Sequence, residues 1–176
     1  MSDAGPLEPR TITVGPLRDS WIVEHARAYL RSIGHEAALD ERRWNAPERE
    51  RVLEVGSLRS VLRLRDHAER HTRLGGVRFD HVPYAPASIW VPLEIGQPRM
   101  PLFDEKIEPV FFGSSVTLRA ELDRLRALLE PELGAFPDWR GDVVADEPEP
   151  VKTTWRGLRI AAELSIARST AMHGFA

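Results

Sequence analysis

Apolar residues recur along this chain in two rhythms, one near every third or fourth position and one at every second. Over residues 16–33, Ile22, Ala26, Tyr29 and Ile33 make a single stripe with Trp21 beside it, and Gly34 follows as a C-cap. That pattern predicts a first amphipathic helix. Residues 57–72 predict a second, with Leu58, Val61, Leu62, Arg65 and Ala68 as its inner edge and Gly75-Gly76 as its stop. The clearest helix is 115–130. There Leu118, Leu122, Leu125 and Leu129 form one stripe opposite Arg119, Asp123, Arg126 and Glu130, and Pro131 is expected to end it. Residues 151–172 predict a fourth helix, apolar around most of its circumference, with one polar stripe of Lys152, Arg156, Arg159 and Glu163. A helix of that kind is buried on most sides, at the centre of a fold or in a subunit interface.

The two-residue rhythm is shorter and less regular. Residues 11–14 and 52–55 read as strands. Val77, Phe79 and His81 alternate with Arg78 and Asp80, residues 89–95 are β-prone around Pro92, residues 96–98 read as a turn, and residues 107–112 read as another strand. A hairpin or meander with irregular arms is expected over residues 77–112, with Pro92 at an edge or bulge because it donates no ladder bond. Residues 35–47 read as a loop or weak edge strand, and residues 136–150 as a loop whose tail, residues 146–150, is solvated. Three corners recur where strand gives way to helix, at Gly15, Gly56 and Gly113, each followed by a helix-opening Pro16, Ser57 or Ser114-Ser115. The fold expected is α+β: about four helices packed on a small mixed or antiparallel sheet. Residues 1–10 are expected to form a flexible tail and residues 11–176 a single globular domain. If residues 47–74 were instead one helix bent near Gly56, a four-helix arrangement with an inserted β-hairpin would follow.

Composition narrows the function classes. The formal net charge is −3, which gives no global attraction to nucleic acid or anionic membrane. There are no cysteines, which removes disulfides, thiolate metal sites and cysteine catalysis. Lys106 and Lys152 are the only lysines among 24 basic residues, and the wealth of arginine, alanine, leucine and proline fits a high-GC bacterial coding sequence. No run approaches the roughly 20 apolar residues that span a bilayer. Residues 1–9 are acidic and proline-bearing, unlike a signal peptide, so a cytoplasmic protein is expected.

The chemistry-bearing candidates are few. Gly113, Ser114 and Ser115 open a helix with two hydroxyls and free N–H groups, the ingredients of an anion or phosphate site. They lack the lysine of a P-loop and the Gly-x-Ser-x-Gly of a nucleophile elbow. His67 and His71 have the spacing of a two-histidine metal site, without His-Glu-x-x-His. Arg59, Arg63, Arg70, Arg73 and Arg78 could form a phosphate-binding stripe, which Asp66 and Glu69 interrupt. Glu94, Asp104, Glu105 and Glu108 could supply a carboxylate pair. The stretch around Asp138, Asp142, Asp146 and Glu147 lacks calcium-loop spacing. Tyr84, Trp90, Leu93, Met100 and Phe103 lie in a proline-rich arm with the composition of an interface centre. No residue set specifies a catalytic role or a cofactor. The function expected is a non-catalytic protein-interaction module (inhibitor, immunity-type or adaptor), partnered by a protein or by a second copy in a homodimer. The alternatives are an anion- or phosphate-ligand protein or enzyme using Gly113-Ser114-Ser115, and nucleic-acid binding through the arginine stripe.

Overall fold

A computed structural model describes residues 9–17, 20–35, 50–82, 87–98, 110–140 and 149–174. In chain order these form β1 (Pro9–Val14), α1 (Ser20–Ser32), β2 (Arg51–Ser57), α2 (Leu58–Gly75), β3 (Ala87–Val91), β4 (Val110–Ser114), α3 (Ser115–Leu133), α4 (Pro150–Arg168) and β5 (Met172–Gly174). The strands make one sheet in the order β2-β1-β5-β3-β4. β3 and β4 run parallel, and the other neighbours run antiparallel. The fold is thus α+β with a mixed sheet. Pro9 and Arg10 belong to β1, so the sheet begins inside the stretch expected to be a tail.

Side-chain alternation divides the interior into two. Trp90 and Phe111 point to one face of the sheet, where α2, α3 and α4 pack through Leu64, Leu118, Leu122, Leu125, Leu129, Trp155 and Leu158. Ile89, Val91, Val110 and Phe112 point to the other, where Ala26, Tyr29 and Leu30 of α1 cover them. The Tyr29 and Phe112 rings meet at 4.6 Å. Both faces of β4 are therefore buried, which is why residues 110–113 carry no polar side chain.

The caps behave as their side chains dictate. Ser57 and Ser114 each accept a hydrogen bond from the backbone N–H three residues on, at Ser60 and Thr117. Gly76 closes α2 in the left-handed conformation. Because β2 is a strand and Ser57 caps the helix after it, the single bent helix over residues 47–74 does not form.

Several expectations change. Among the described residues no hairpin forms over residues 77–112: β3 and β4 are parallel, and β5 lies between β1 and β3. Residues 77–82 keep an alternation of burial, with Phe79 and His81 inside and Arg78 outside, but they form no ladder. The inner line of α2 is Ser60, Leu64 and Ala68, and Leu62 is 44 % exposed. Small residues are needed on that line because α4 runs beside it, with Thr154 Oγ1 donating to Ser60 Oγ at 2.9 Å. Pro131 falls within the last turn of α3, where one missing N–H is tolerated, and the helix continues to Leu133. The fourth helix stops at Arg168, with Ser169 left-handed, and the next residues supply β5. Of its polar stripe, Lys152, Arg156 and Arg159 are each at least nine-tenths buried. Gly157 lets α4 touch β2, since a Cβ there would stand 2.9 Å from the Glu54 carbonyl oxygen.

Candidate functional site

The Gly113 corner is built around a buried histidine rather than a ligand. His81 is 1 % exposed. Its Nδ1 accepts from the Ser114 N–H at 2.8 Å, which leaves Nε2 to carry the proton and donate to the Gly96 carbonyl at 2.9 Å. Its own N–H donates to Glu121 Oε2 at 2.8 Å, and its carbonyl accepts from Trp90 Nε1 at 2.9 Å. One residue thereby joins β3, β4, α3 and the turn at Gly96.

Ser114 and Ser115 are fully buried. The Ser114 hydroxyl caps Thr117, and the Ser115 hydroxyl lies 3.1 Å from the Val91 carbonyl and 2.9 Å from Ser165 Oγ. Both hydroxyls and the Ser114 and Thr117 N–H groups are engaged by the chain itself, and both serines are fully buried, so Gly113, Ser114 and Ser115 are a structural corner. This corrects the anion-site expectation.

The hub carries two perturbed groups. Burial pushes the Glu121 carboxyl from 4.5 up to about 7, against the stabilising hydrogen bond from the His81 N–H. Burial also lowers the His81 imidazole, keeping it neutral in the tautomer its partners require. The folded Glu121 pKa lies above its unfolded value. Its contribution to stability is thus fully present below pH 4.5 and lost as pH rises through about 7. His81 acts in the opposite sense: its contribution is present above pH 6.5 and lost as pH falls. E121Q removes the first term alone. Between pH 4 and pH 8, its stability relative to the wild type is expected to rise by about 3 kcal/mol, measured by urea unfolding. A pH-independent difference would mean that Glu121 is not buried as a carboxyl.

The other candidates separate. His67 Nδ1 lies 3.1 Å from Arg70 Nη2, and burial together with that guanidinium lowers its pKa. His71 Nε2 lies 3.9 Å from Glu132 Oε1. A cation beside His67 opposes metal binding, and among the described residues no group of three His, Asp or Glu could hold a metal ion. Trp90 is 1 % exposed and packs on Phe111 at 5.9 Å, so it is a core residue and not an interface one. Leu93 is partly buried against the α1-side core. Tyr84, Met100 and Phe103 lie outside the described residues, as do Asp104, Glu105 and Glu108. In the arginine stripe, Arg70 pairs with Glu132, Arg73 with Glu69 and Arg78 with Asp80.

Charge on α3 and α4 is also internally paired. Arg159 donates to both oxygens of Asp123 and to Glu163, while Trp139 lies between the guanidinium groups of Arg159 and Arg140 at 4.5 and 4.4 Å. The hydrogen bond from Arg159 holds the Glu163 carboxyl below its usual range. These two helices carry five carboxylates and seven cations. The stretches that precede and follow α3, residues 92–109 and 134–149, carry nine carboxylates and only Arg99, Lys106 and Arg140. Acid is thus segregated along the sequence into the connections, and the helices that alternate with them are weakly basic. Two ends of the second stretch are pinned, by Trp139 on Arg159 and by Glu149, whose carboxylate accepts from the Val151 N–H to cap α4.

A family model described as "Putative DNA-mimic protein" matches residues 84–173, just over half of the chain. The chain belongs to this family. The DNA-mimic match takes in β3, β4, α3, α4 and nearly all of β5, the half of the sheet around the parallel pair. β1 and β2 extend that sheet beyond β5, and α1 and α2 pack on its two faces. No curated protein and no solved structure matches the chain. No helix among the described residues is long and apolar enough to cross a membrane.

Sequence reasoning saw the aromatic arm but missed the hub, because the partners of His81 lie 15, 33 and 40 residues away. The alternation over residues 77–81 put His81 in step with Phe79, and both are buried. Segregation of acid was readable by counting charges, once helix boundaries were known.

Proposed function

We propose that this protein is a non-catalytic interaction module that occupies the DNA-binding surface of a protein partner. One observation carries this reading. Within the DNA-mimic segment, the connections hold a net charge of −6 while α3 and α4 hold +2, so negative charge is displaced to the connections. Duplex DNA presents one negative charge per about 1.7 Å of axis, and proteins that bind it meet those charges with arginine and lysine. Carboxylates offered from connections on a rigid, internally neutralised base can engage the same cations. The protein then acts as an inhibitor by competition, and the reading needs no second copy of the chain.

The test uses the full chain immobilised on resin against a bacterial lysate. Captured proteins are expected to bind DNA by themselves and to elute with a short duplex or with rising salt. Capture indifferent to duplex would contradict the reading. Direct binding of the duplex by this chain would instead support nucleic-acid binding through the α2 arginines.

A further inference from the structure

The groove between α2 and the segment from Phe79 to Val82 has a chemistry unlike the acid-rich connections. Its volume is about 450 Å3, inside the range of about 300–1,000 Å3 in which small-molecule pockets fall. Phe79, Phe111, Val82 and Ala68 make its floor, and all four are buried apolar residues. The mouth is charged. On the α2 wall, Glu69 lies 2.8 Å from Arg65 Nη2 and 3.8 Å from Arg73 Nη2. One carboxylate between two guanidinium groups leaves that wall positive, and the Arg73 side chain is 76 % exposed. On the facing wall Asp80 is offset by Arg78 at 3.5 Å. The whole of α2 carries five arginines against Asp66 and Glu69.

The facing wall is held in place before any ligand arrives. Asp80 and Val82 flank His81, whose ring is tied to Ser114 and Gly96. Phe111 is packed against Trp90, which donates to the His81 carbonyl. A fully satisfied buried polar network of this kind fixes the shape of what surrounds it.

We infer that this groove binds a small amphipathic anion, with an aromatic or aliphatic body on the Phe79–Phe111 floor and a carboxylate on Arg73, beside the Arg65–Glu69 pair. Guanidinium presents paired donors that match a carboxylate, and the bond is charge-assisted. The apolar floor offers no partner for the hydroxyls of a sugar or a nucleotide, which would be desolvated at a cost. The charged groups of the site, Arg65 and Arg73, lie on α2, which precedes the matched segment, although Pro98 and Phe111 of its lining fall within it.

The probes are 2-naphthoate and its neutral counterpart 2-naphthylmethanol, titrated into the full chain by NMR and calorimetry. Naphthoate is expected to bind with one-to-one stoichiometry, with shifts confined to α2, residues 79–82, Pro98 and Phe111, and the alcohol about tenfold more weakly or worse. Arg73→Gln, at an exposed side chain, is expected to weaken naphthoate about tenfold without moving the melting temperature. Thr72→Trp, which fills the groove from its rim, is expected to abolish binding in a protein that still folds. No naphthoate binding at millimolar concentration, equal affinity for the alcohol, or an unchanged Kd in Arg73→Gln would each overturn the inference. Partner capture tests the other reading separately, since it does not involve the groove.

Discussion

Gly113→Val is expected to lower stability by about 3 kcal/mol, the upper end of the usual cost of overpacking. A Cβ at position 113 would stand 2.7 Å from Phe111 Cε1 and 2.8 Å from Trp90 Cδ1. Real Cβ atoms do not approach that closely, so one ring must move. Neither ring moves cheaply. Trp90 is tied through its Nε1 to the His81 carbonyl, and Phe111 packs against Trp90. Displacing Trp90 would pull on His81, and through it on Ser114 and Glu121. The expected loss corresponds to a melting temperature roughly 6–12 °C lower for a chain of this size. Gly75→Ala is the control, because a Cβ there meets nothing within 4 Å and the residue ends a helix. It is expected to be neutral or to stabilise by up to about 1 kcal/mol. Equal stability of the two variants in urea would show that Gly113 is not a packing corner.

The second large effect concerns function. Replacing Asp138, Asp142 and Asp146 with Asn and Glu147 with Gln is expected to weaken partner binding on the order of 100-fold at low salt. The same variant should lose most of the salt dependence, because screened charge pairs are what salt removes. Glu149 is left intact, since its carboxylate caps α4 and its loss would disturb the helix as well as the charge. Asp138 is exposed, and its neighbours Trp139 and Arg140 make the cation–π stack that stays in place. The melting temperature should therefore change little while binding changes greatly. Undiminished affinity, or an unchanged salt slope, would move the interaction away from this stretch.

How much of this was legible in the residues depends on the range of the forces involved. α3 follows from Leu118, Leu122, Leu125 and Leu129 alone, since a stripe of leucines encodes its own buried face, and all four are fully buried. Ser57 and Ser114 announce their helices because capping is a contact three residues long. The parallel pairing of β3 with β4 was not legible. Antiparallel and parallel neighbours have the same local sequence, and the deciding strand is Met172-His173-Gly174, too short to show a rhythm. Trp90 looked like an interface anchor because prolines surround it and no periodicity claims it. Its true partner, the carbonyl of His81, can be seen only in three dimensions. Lys152, Arg156 and Arg159 stand out in the sequence as a polar stripe, and nothing local shows that the stripe is buried. Arg159 is buried by pairing with Glu163 one turn along its own helix and, across to another helix and another segment, by pairing with Asp123 and stacking on Trp139. The acid-rich connections were visible as composition, but their meaning came only with the weakly basic helices that separate them.

The account stands most directly on competition. A labelled duplex bound to a captured partner, followed by fluorescence anisotropy, is titrated with the full chain. Mutually exclusive binding predicts that anisotropy falls to that of the free duplex, at concentrations that rise with salt and with the four-residue neutralised variant. A stable ternary complex of duplex, partner and this protein would contradict the account, as would a duplex that the protein never displaces.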